Sequence, residues 1–318
     1  MRLRLESENT VTQETEYYKA INWNAIEDIV DKATWEKLTE QFWLDTRIPL
    51  SNDLDDWRRL SDKERDLVGK VFGGLTLLDT LQGTDGVSAI RPDVRTPHED
   101  AVLSNVSFME QVHAKSYSSI FSTLNTKAEI EEIFEWTANN KHLQKKAEII
   151  KRIYDTGTLL QKKAASVFLE SFLFYSGFFT PLWYLGNNKL PNVAEIIKLI
   201  IRDESVHGTY IGYKFQLAFN ELPEEEQEEL KAWTYDLLYE LYENEEKYTE
   251  ELYDEIGWTE EVKTFLRYNA NKALMNLGQD PLFPESAEEV NPIIMNGIST
   301  GTSNHDFFSQ VGNGYLLG

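Results

Sequence analysis

Glu110-Gln-Val-His113 and Glu204-Ser-Val-His207 each set a carboxylate and an imidazole three residues apart. On a helix that spacing brings both side chains to one face, nearly one turn apart. Helical bundles that bind two metal ions use this unit twice and take one further carboxylate from each of two other helices. Two acids fit the second role. Asp79 lies in Leu75-Thr-Leu-Leu-Asp-Thr-Leu and Glu170 in Ala165-Ser-Val-Phe-Leu-Glu-Ser-Phe-Leu-Phe, both strongly apolar runs. An ionised carboxylate buried without a partner costs several kcal/mol or more, so each must meet a cation, keep a proton or face solvent. The candidate ligands are therefore Asp79, Glu110, His113, Glu170, Glu204 and His207. Four carboxylate charges balance two divalent cations, and hard oxygen donors with imidazole suit two Mn or two Fe ions per chain. The chain has only five histidines, so two at the same offset from glutamates are hard to obtain by chance.

Tyr117 lies one turn beyond His113 on the same helical face. The position suits a core tyrosine with a paired hydroxyl, and equally a redox tyrosine beside an oxidised metal pair. Phe174 and Phe178, four and eight residues past Glu170, and Ile200, one turn before Glu204, would wall a radical off from water. They would serve equally as ordinary core.

These residues need helices to carry them, and the hydrophobic periodicity supplies helices. Ala25 to Leu44 reads as one, closed by Trp43. The capping box Ser61-Asp-Lys-Glu64 opens another that reaches about Gln82, followed by a turn-rich stretch from Gly83 to Pro97. Thr96-Pro97 starts a long helix through Glu110, His113 and Tyr117 to Leu124. Further helices are expected over Lys127 to Tyr154, Thr156 to Phe179 with a stop at Pro181, Asn192 to Asn220, Pro223 to Tyr253 and Thr259 to Leu277. The expected class is all-α: a helical bundle with extra helices around a buried dinuclear site. Residues 1–20 read as a mobile lead-in, 21–290 as a single helical domain, and 291–318 as mostly irregular chain.

The chain has 318 residues and 41% hydrophobic content, enough to enclose such a site. It contains no cysteine, which removes disulfides, thiolate metal sites and cysteine nucleophiles together. A net charge of −23 argues against direct nucleic-acid binding, which leans on a basic surface. The N-terminus lacks the apolar core of a signal peptide. The richest apolar run, Val167 to Tyr184, is broken by Glu170, Ser171, Ser176, Gly177 and Pro181, so a buried helix is expected rather than a membrane span. A soluble, cytoplasmic protein is the resulting expectation.

Longer stretches narrow the reading. Leu75-Thr-Leu-Leu-Asp-Thr-Leu-Gln82, Phe108-Met-Glu-Gln-Val-His-Ala-Lys-Ser-Tyr-Ser-Ser-Ile-Phe121, Phe168-Leu-Glu-Ser-Phe-Leu-Phe-Tyr-Ser-Gly177 and Ile201-Arg-Asp-Glu-Ser-Val-His-Gly208 closely resemble the radical-generating small subunit of class Ib ribonucleotide reductase. The likeness runs from about Tyr17 to the end. It implies a ferritin-like fold, a homodimer, a dinuclear manganese or iron centre on the six ligands above, and Tyr117 as the radical site. It also implies delivery of the radical to a large catalytic subunit, by a route from Tyr117 past the metals, through His113 and Asp203, to Trp43. Asp203 would orient a ligand histidine. A small flavodoxin-like protein would deliver oxidant to a dimanganese centre, whereas a diiron centre would react with dioxygen directly. Members of the family continue past Gly-Asn-Gly-Tyr-Leu-Leu-Gly into an acidic docking tail with a relay tyrosine. The sequence here stops at Gly318, and Tyr315 is not expected to replace that residue. The other readings of the same ligand set are a diiron oxygenase or oxidase, with Tyr117 as a bystander, and a ferritin-like metal store. A plain helical interaction protein would need no metal at all.

Overall fold

The computed structural model describes residues 20–299, together with the backbone of Arg2–Leu3 and Tyr17–Tyr18. Those two short strands, β1 and β2, pair antiparallel with Arg2 opposite Tyr18. They are the only extended pairing among the described residues, so the all-α expectation holds. The remainder of the expected lead-in and the chain after Ser299, including Tyr315, lie outside the described residues.

The helices run in order as α1 Ile29–Glu40, α2 Leu54–Arg59, α3 Asp62–Leu81, α4 Val87–Ile90, α5 Pro97–Leu124, α6 Lys127–Asn139 and α7 Lys141–Thr156. They continue as α8 Leu159–Phe168, α9 Tyr175–Gly186, α10 Pro191–Phe219, α11 Glu224–Tyr253, α12 Thr259–Asn276 and α13 Pro292–Ser299. Local chemistry sets many of the starts. Ser61 and Glu64 form the expected capping box of α3, with Ser61 N–H donating to Glu64 Oε2 at 2.8 Å. Thr96 accepts from Glu99 N–H at 2.9 Å ahead of Pro97 at the start of α5. The start of α10 is capped from a distance: Asp53 accepts from Val193 N–H at 2.7 Å and from Asn192 N–H at 3.2 Å.

Helix α3 packs on α5, and α10 packs on α8, α9 and α5, so the central layer gathers the four chain segments that carry the candidate ligands. Helices α6, α7, α11 and α12 enclose that layer, and the apolar core is continuous from Val30 to Ile298.

Several boundaries depart from expectation. The stretch expected to be turn-rich is helical as far as Asp93, passing from a π-helical segment at Gln82–Gly86 through α4 into a 3-10 turn at Arg91–Asp93, and only residues 94–96 are extended or bent. The expected helix from Lys127 to Tyr154 is two helices, broken at Asn140. Its side chain accepts from the N–H groups of His142 and Leu143 and so restarts the chain as a new helix. Pro181 does not stop a helix: α9 continues through it to Gly186, because Leu182 and Tyr184 beyond it are buried in the core. Burial outweighs the hydrogen bond that proline removes. The first helix is shorter than expected, starting at Ile29 where Asp28 accepts from Val30 N–H. Of the chain after Gly278, expected to be mostly irregular, Pro292–Ser299 is helical.

Candidate metal centre

Helix α3 delivers Asp79, α5 delivers Glu110, His113 and Tyr117, and α10 delivers Asp203, Glu204 and His207. Glu170 comes from a second π-helical segment, Leu169–Leu173, between α8 and α9. A π turn inserts one residue into the helical register and commonly marks a functional position. Here the two π segments meet beside the cluster, where Gln82 from one donates to Glu170 from the other.

The structure brings all six candidate ligands together, each fully buried. They form two donor groups, Asp79, Glu110, His113 and Glu204, and Glu110, Glu170, Glu204 and His207, with the donor atoms of each within 4.8 Å of one another. Glu110 and Glu204 belong to both. Each group would hold one cation, with Glu110 and Glu204 available to both.

The orphaned atoms test the fit. Both oxygens of Asp79, Glu110 and Glu204, Oε2 of Glu170 and Nδ1 of both histidines make no hydrogen bond within the protein. Yet they crowd together: His113 Nδ1 lies 2.9 Å from Glu204 Oε1, and His207 Nδ1 lies 2.8 Å from Glu110 Oε1. These approaches lack hydrogen-bond alignment, and the atoms converge on common points instead of on one another. Buried polar atoms left this way cost about 1–3 kcal/mol each, more when charged. The set fits two divalent ions.

Without cations, protons must take their place. Burial, reinforced by the charges of Glu204 and Glu110, pushes the Asp79 carboxyl well above its usual range. Burial and the charges of Glu110 and Glu204 do the same to Glu170. Glu204 goes the other way: burial disfavours its charge, but the neighbouring Glu170 carboxyl and the charge of His113 outweigh that and keep it ionised. Burial opposes the charged forms of His113 and His207, yet the surrounding carboxylates, Glu204 for the first and Glu110 for the second, push both up.

Beside the cluster Tyr117 is fully buried, and its hydroxyl has no hydrogen-bond partner in the protein. Burial and then the nearby Asp79 and Glu204 charges hold its proton firmly. The Phe72 ring lies 5.7 Å away between centroids, tilted by 33° to it. Phe174, Phe178 and Ile200 are all fully buried.

On the outer side, Asp203 Oδ2 accepts from Trp43 Nε1 at 2.7 Å and faces His113 Nε2 at 3.1 Å. The Trp43 ring lies nearly parallel to that of His113, 6.0 Å away. Asp203 Oδ1 is held by Gln41 Nε2 at 2.8 Å. Gln41, Gln82 and Tyr154 were not foreseen. Gln82 had a readable signal, since Asp79-x-x-Gln82 repeats the offset of the ligand pairs. Tyr154 ends a run dominated by charge and offered none.

Comparison with known proteins places this architecture. Residues 20–292 match the family described as "Ribonucleotide reductase, small chain". The "Ribonucleoside-diphosphate reductase 2 subunit beta" of Escherichia coli K12 is 54% identical over 300 residues, covering 94% of this chain and 94% of that protein. The beta subunit nrdF2 of Mycobacterium tuberculosis H37Rv is likewise 54% identical, covering 94% and 93%. Among solved structures, the dimanganese(II)-NrdF of Streptococcus sanguinis superposes with a TM-score of 0.88 at 83% identity, covering 89% of this chain and all of that one. Storage, oxygenase and pure interaction roles are thereby set aside. The chain belongs to the ribonucleotide reductase small-chain family, in its class Ib branch, as the beta subunit of a ribonucleoside-diphosphate reductase.

Proposed function

We propose that Asp79, Glu110, His113, Glu170, Glu204 and His207 hold two manganese or two iron ions, and that Tyr117 becomes the stable tyrosyl radical used for deoxyribonucleotide synthesis. The observation that carries this is the convergence of two buried donor groups that share Glu110 and Glu204 and leave their oxygens without hydrogen bonds. The dimanganese state of the Streptococcus sanguinis relative, at 83% identity, supports the choice of redox-active divalent ions. When bound, such ions supply the one-electron oxidant once an external oxidant has acted on them.

The protein's own part is positioning and exclusion. Tyr117 is the residue to be oxidised, and its hydroxyl makes no hydrogen bond within the protein that would tie it to another side chain. Phe72, with Phe174, Phe178 and Ile200, supplies the dry apolar surroundings a lasting radical requires. Asp203 fixes the tautomer of His113 by accepting at Nε2, which leaves Nδ1 to face the centre. The same carboxylate joins His113 to Trp43, so a hydrogen-bonded line leads outward from the centre. Along it the oxidising equivalent passes to the large catalytic subunit. Homodimer formation, activation of a manganese form by a flavodoxin-like protein and a cytoplasmic setting complete this reading. No described helix is long and apolar enough to cross a membrane.

The test is electron paramagnetic resonance after metal loading and oxidation. The protein should show a tyrosyl signal, and Tyr117→Phe should abolish it while retaining two ions per chain. A signal surviving in Tyr117→Phe refutes the assignment.

A further inference from the structure

Glu170 differs from the other three clustered carboxylates in having one oxygen already committed. Gln82 Nε2 donates to its Oε1 at 2.5 Å, whereas Oε2 makes no hydrogen bond and lies 3.7 Å from His207 Nδ1. Gln82 is fully buried and is itself held. Its Oε1 accepts from the Tyr154 hydroxyl at 2.6 Å, and that hydroxyl lies 3.1 Å from Ser166 Oγ.

With Glu170 ionised, as it would be beside a cation, the hydrogens along this chain have one consistent direction. Tyrosine has a single hydroxyl hydrogen, and here it goes to Gln82, so Ser166 must be the donor to Tyr154. Gln82 then has its acceptor turned to Tyr154 and its donor turned to Glu170. Flipping the amide would then set its carbonyl oxygen against the carboxylate oxygen and lose the bond to Glu170. The backbone has made room for this contact. A Cβ on Gly86 would stand 2.0 Å from Gln82 Oε1 and 2.9 Å from the Tyr154 hydroxyl oxygen. Gln82 and Gly86 are the first and last residues of one π segment, and Glu170 belongs to the other.

We infer that Gln82, locked by Tyr154 and Ser166, is a positioning residue that dictates which oxygen of Glu170 faces the metal pair. It holds Oε1 away and leaves Oε2 as the single donor to the ion on the His207 side. The role parallels that of Asp203 toward His113 on the opposite side, and it rests on the metal-centre reading above. Partners that orient a ligand typically affect metal affinity by about 10- to 100-fold.

The experiment titrates the metal-free protein with manganese against a competing chelator, so that two stepwise affinities are resolved. The spin-coupled signal of the two-manganese form is recorded alongside. Gln82→Met, of similar volume, should weaken one of the two steps by about 10- to 100-fold and alter the coupled signal. Tyr154→Phe, which keeps the ring but frees the amide, should weaken the same step by a smaller factor and leave the unfolding midpoint of the metal-free protein close to that of the parent. Two tight ions in the parent with unchanged stepwise affinities and unchanged signal in both variants overturn the inference alone. A drop in unfolding midpoint with both steps weakened equally also overturns it, since that marks a packing role. No tight manganese in the parent overturns the metal-centre reading and the inference with it.

Discussion

Asp28, Asp31 and Glu99 gather around Lys214, whose Nζ lies 2.6 Å from Asp31, 2.7 Å from Asp28 and 3.7 Å from Glu99. About two turns earlier on the same helix, α10 carries His207 into the other buried acidic cluster. The two clusters look alike in composition and differ in how charge is met. Around Lys214 the protein brings its own cation and its own donors: Thr96 and Tyr210 bond the two oxygens of Asp31 at 2.5 and 2.7 Å, and Arg95 N–H bonds Glu99 at 2.8 Å. Around Glu110 and Glu204 it brings neither, and seven carboxylate oxygens stay without hydrogen bonds. Buried acids that stabilise a fold are supplied with partners from the chain. Buried acids that await a ligand each keep at least one oxygen free of such partners.

That contrast can be broken by substitution. The largest effect is expected from Glu204→Ala, which removes a carboxylate common to both donor groups: metal content after loading and desalting should fall from two per chain to below one, with the radical signal lost. The metal-free fold should lose little by comparison, because His113 can release the proton that the Glu204 charge held. Lys214→Met should do the reverse. It strands Asp31 and Glu99 in the core, costing about 3–5 kcal/mol in chemical denaturation, while the folded fraction still binds two ions.

A smaller effect concerns pH. Asp79, Glu170, His113 and His207 all have raised pKa values in the metal-free fold. Above about pH 5 the folded state therefore binds more protons than the unfolded chain, whose carboxyls titrate near 4 and imidazoles near 6.5. Stability must then fall as pH rises. The metal-free protein should lose unfolding midpoint steadily between about pH 5 and 8 relative to the metal-loaded protein, in which cations replace those protons. The Lys214 cluster is common to both forms and cancels in the comparison. A midpoint difference that is flat with pH would mean that the centre is not held together by protons when empty.

How far the sequence carried depends on whether a feature is local. The Glu-x-x-His pairs, Asp79 and Glu170 in apolar helices, and the capping box at Ser61 are set by spacing within one segment. All six candidate ligands converge where that spacing points. The π segments at Gln82–Gly86 and Leu169–Leu173 could not be read, because an inserted residue leaves the apolar pattern intact and is settled by packing between helices. Pro181 was misleading for the same reason, since tertiary burial beyond it outweighs its local cost. Nor could the sequence separate the two acidic clusters. Asp31 and Asp79 both sit among apolar neighbours, and what distinguishes them is Lys214, 183 positions from the one and 135 from the other along the chain (214 − 31 and 214 − 79). Trp43, suggested only by family likeness, does meet Asp203 through a bond that spans 160 residues.

The central claim is that the unpartnered cluster is a two-ion site serving Tyr117. Its most direct measurement is the metal count per chain together with radical yield, after loading with manganese or iron and supplying the matching oxidant. The account predicts two ions per chain and a tyrosyl signal that disappears in Tyr117→Phe with both ions retained. Fewer than two tightly held ions in the unsubstituted protein, or a radical lodged on another residue, would contradict it.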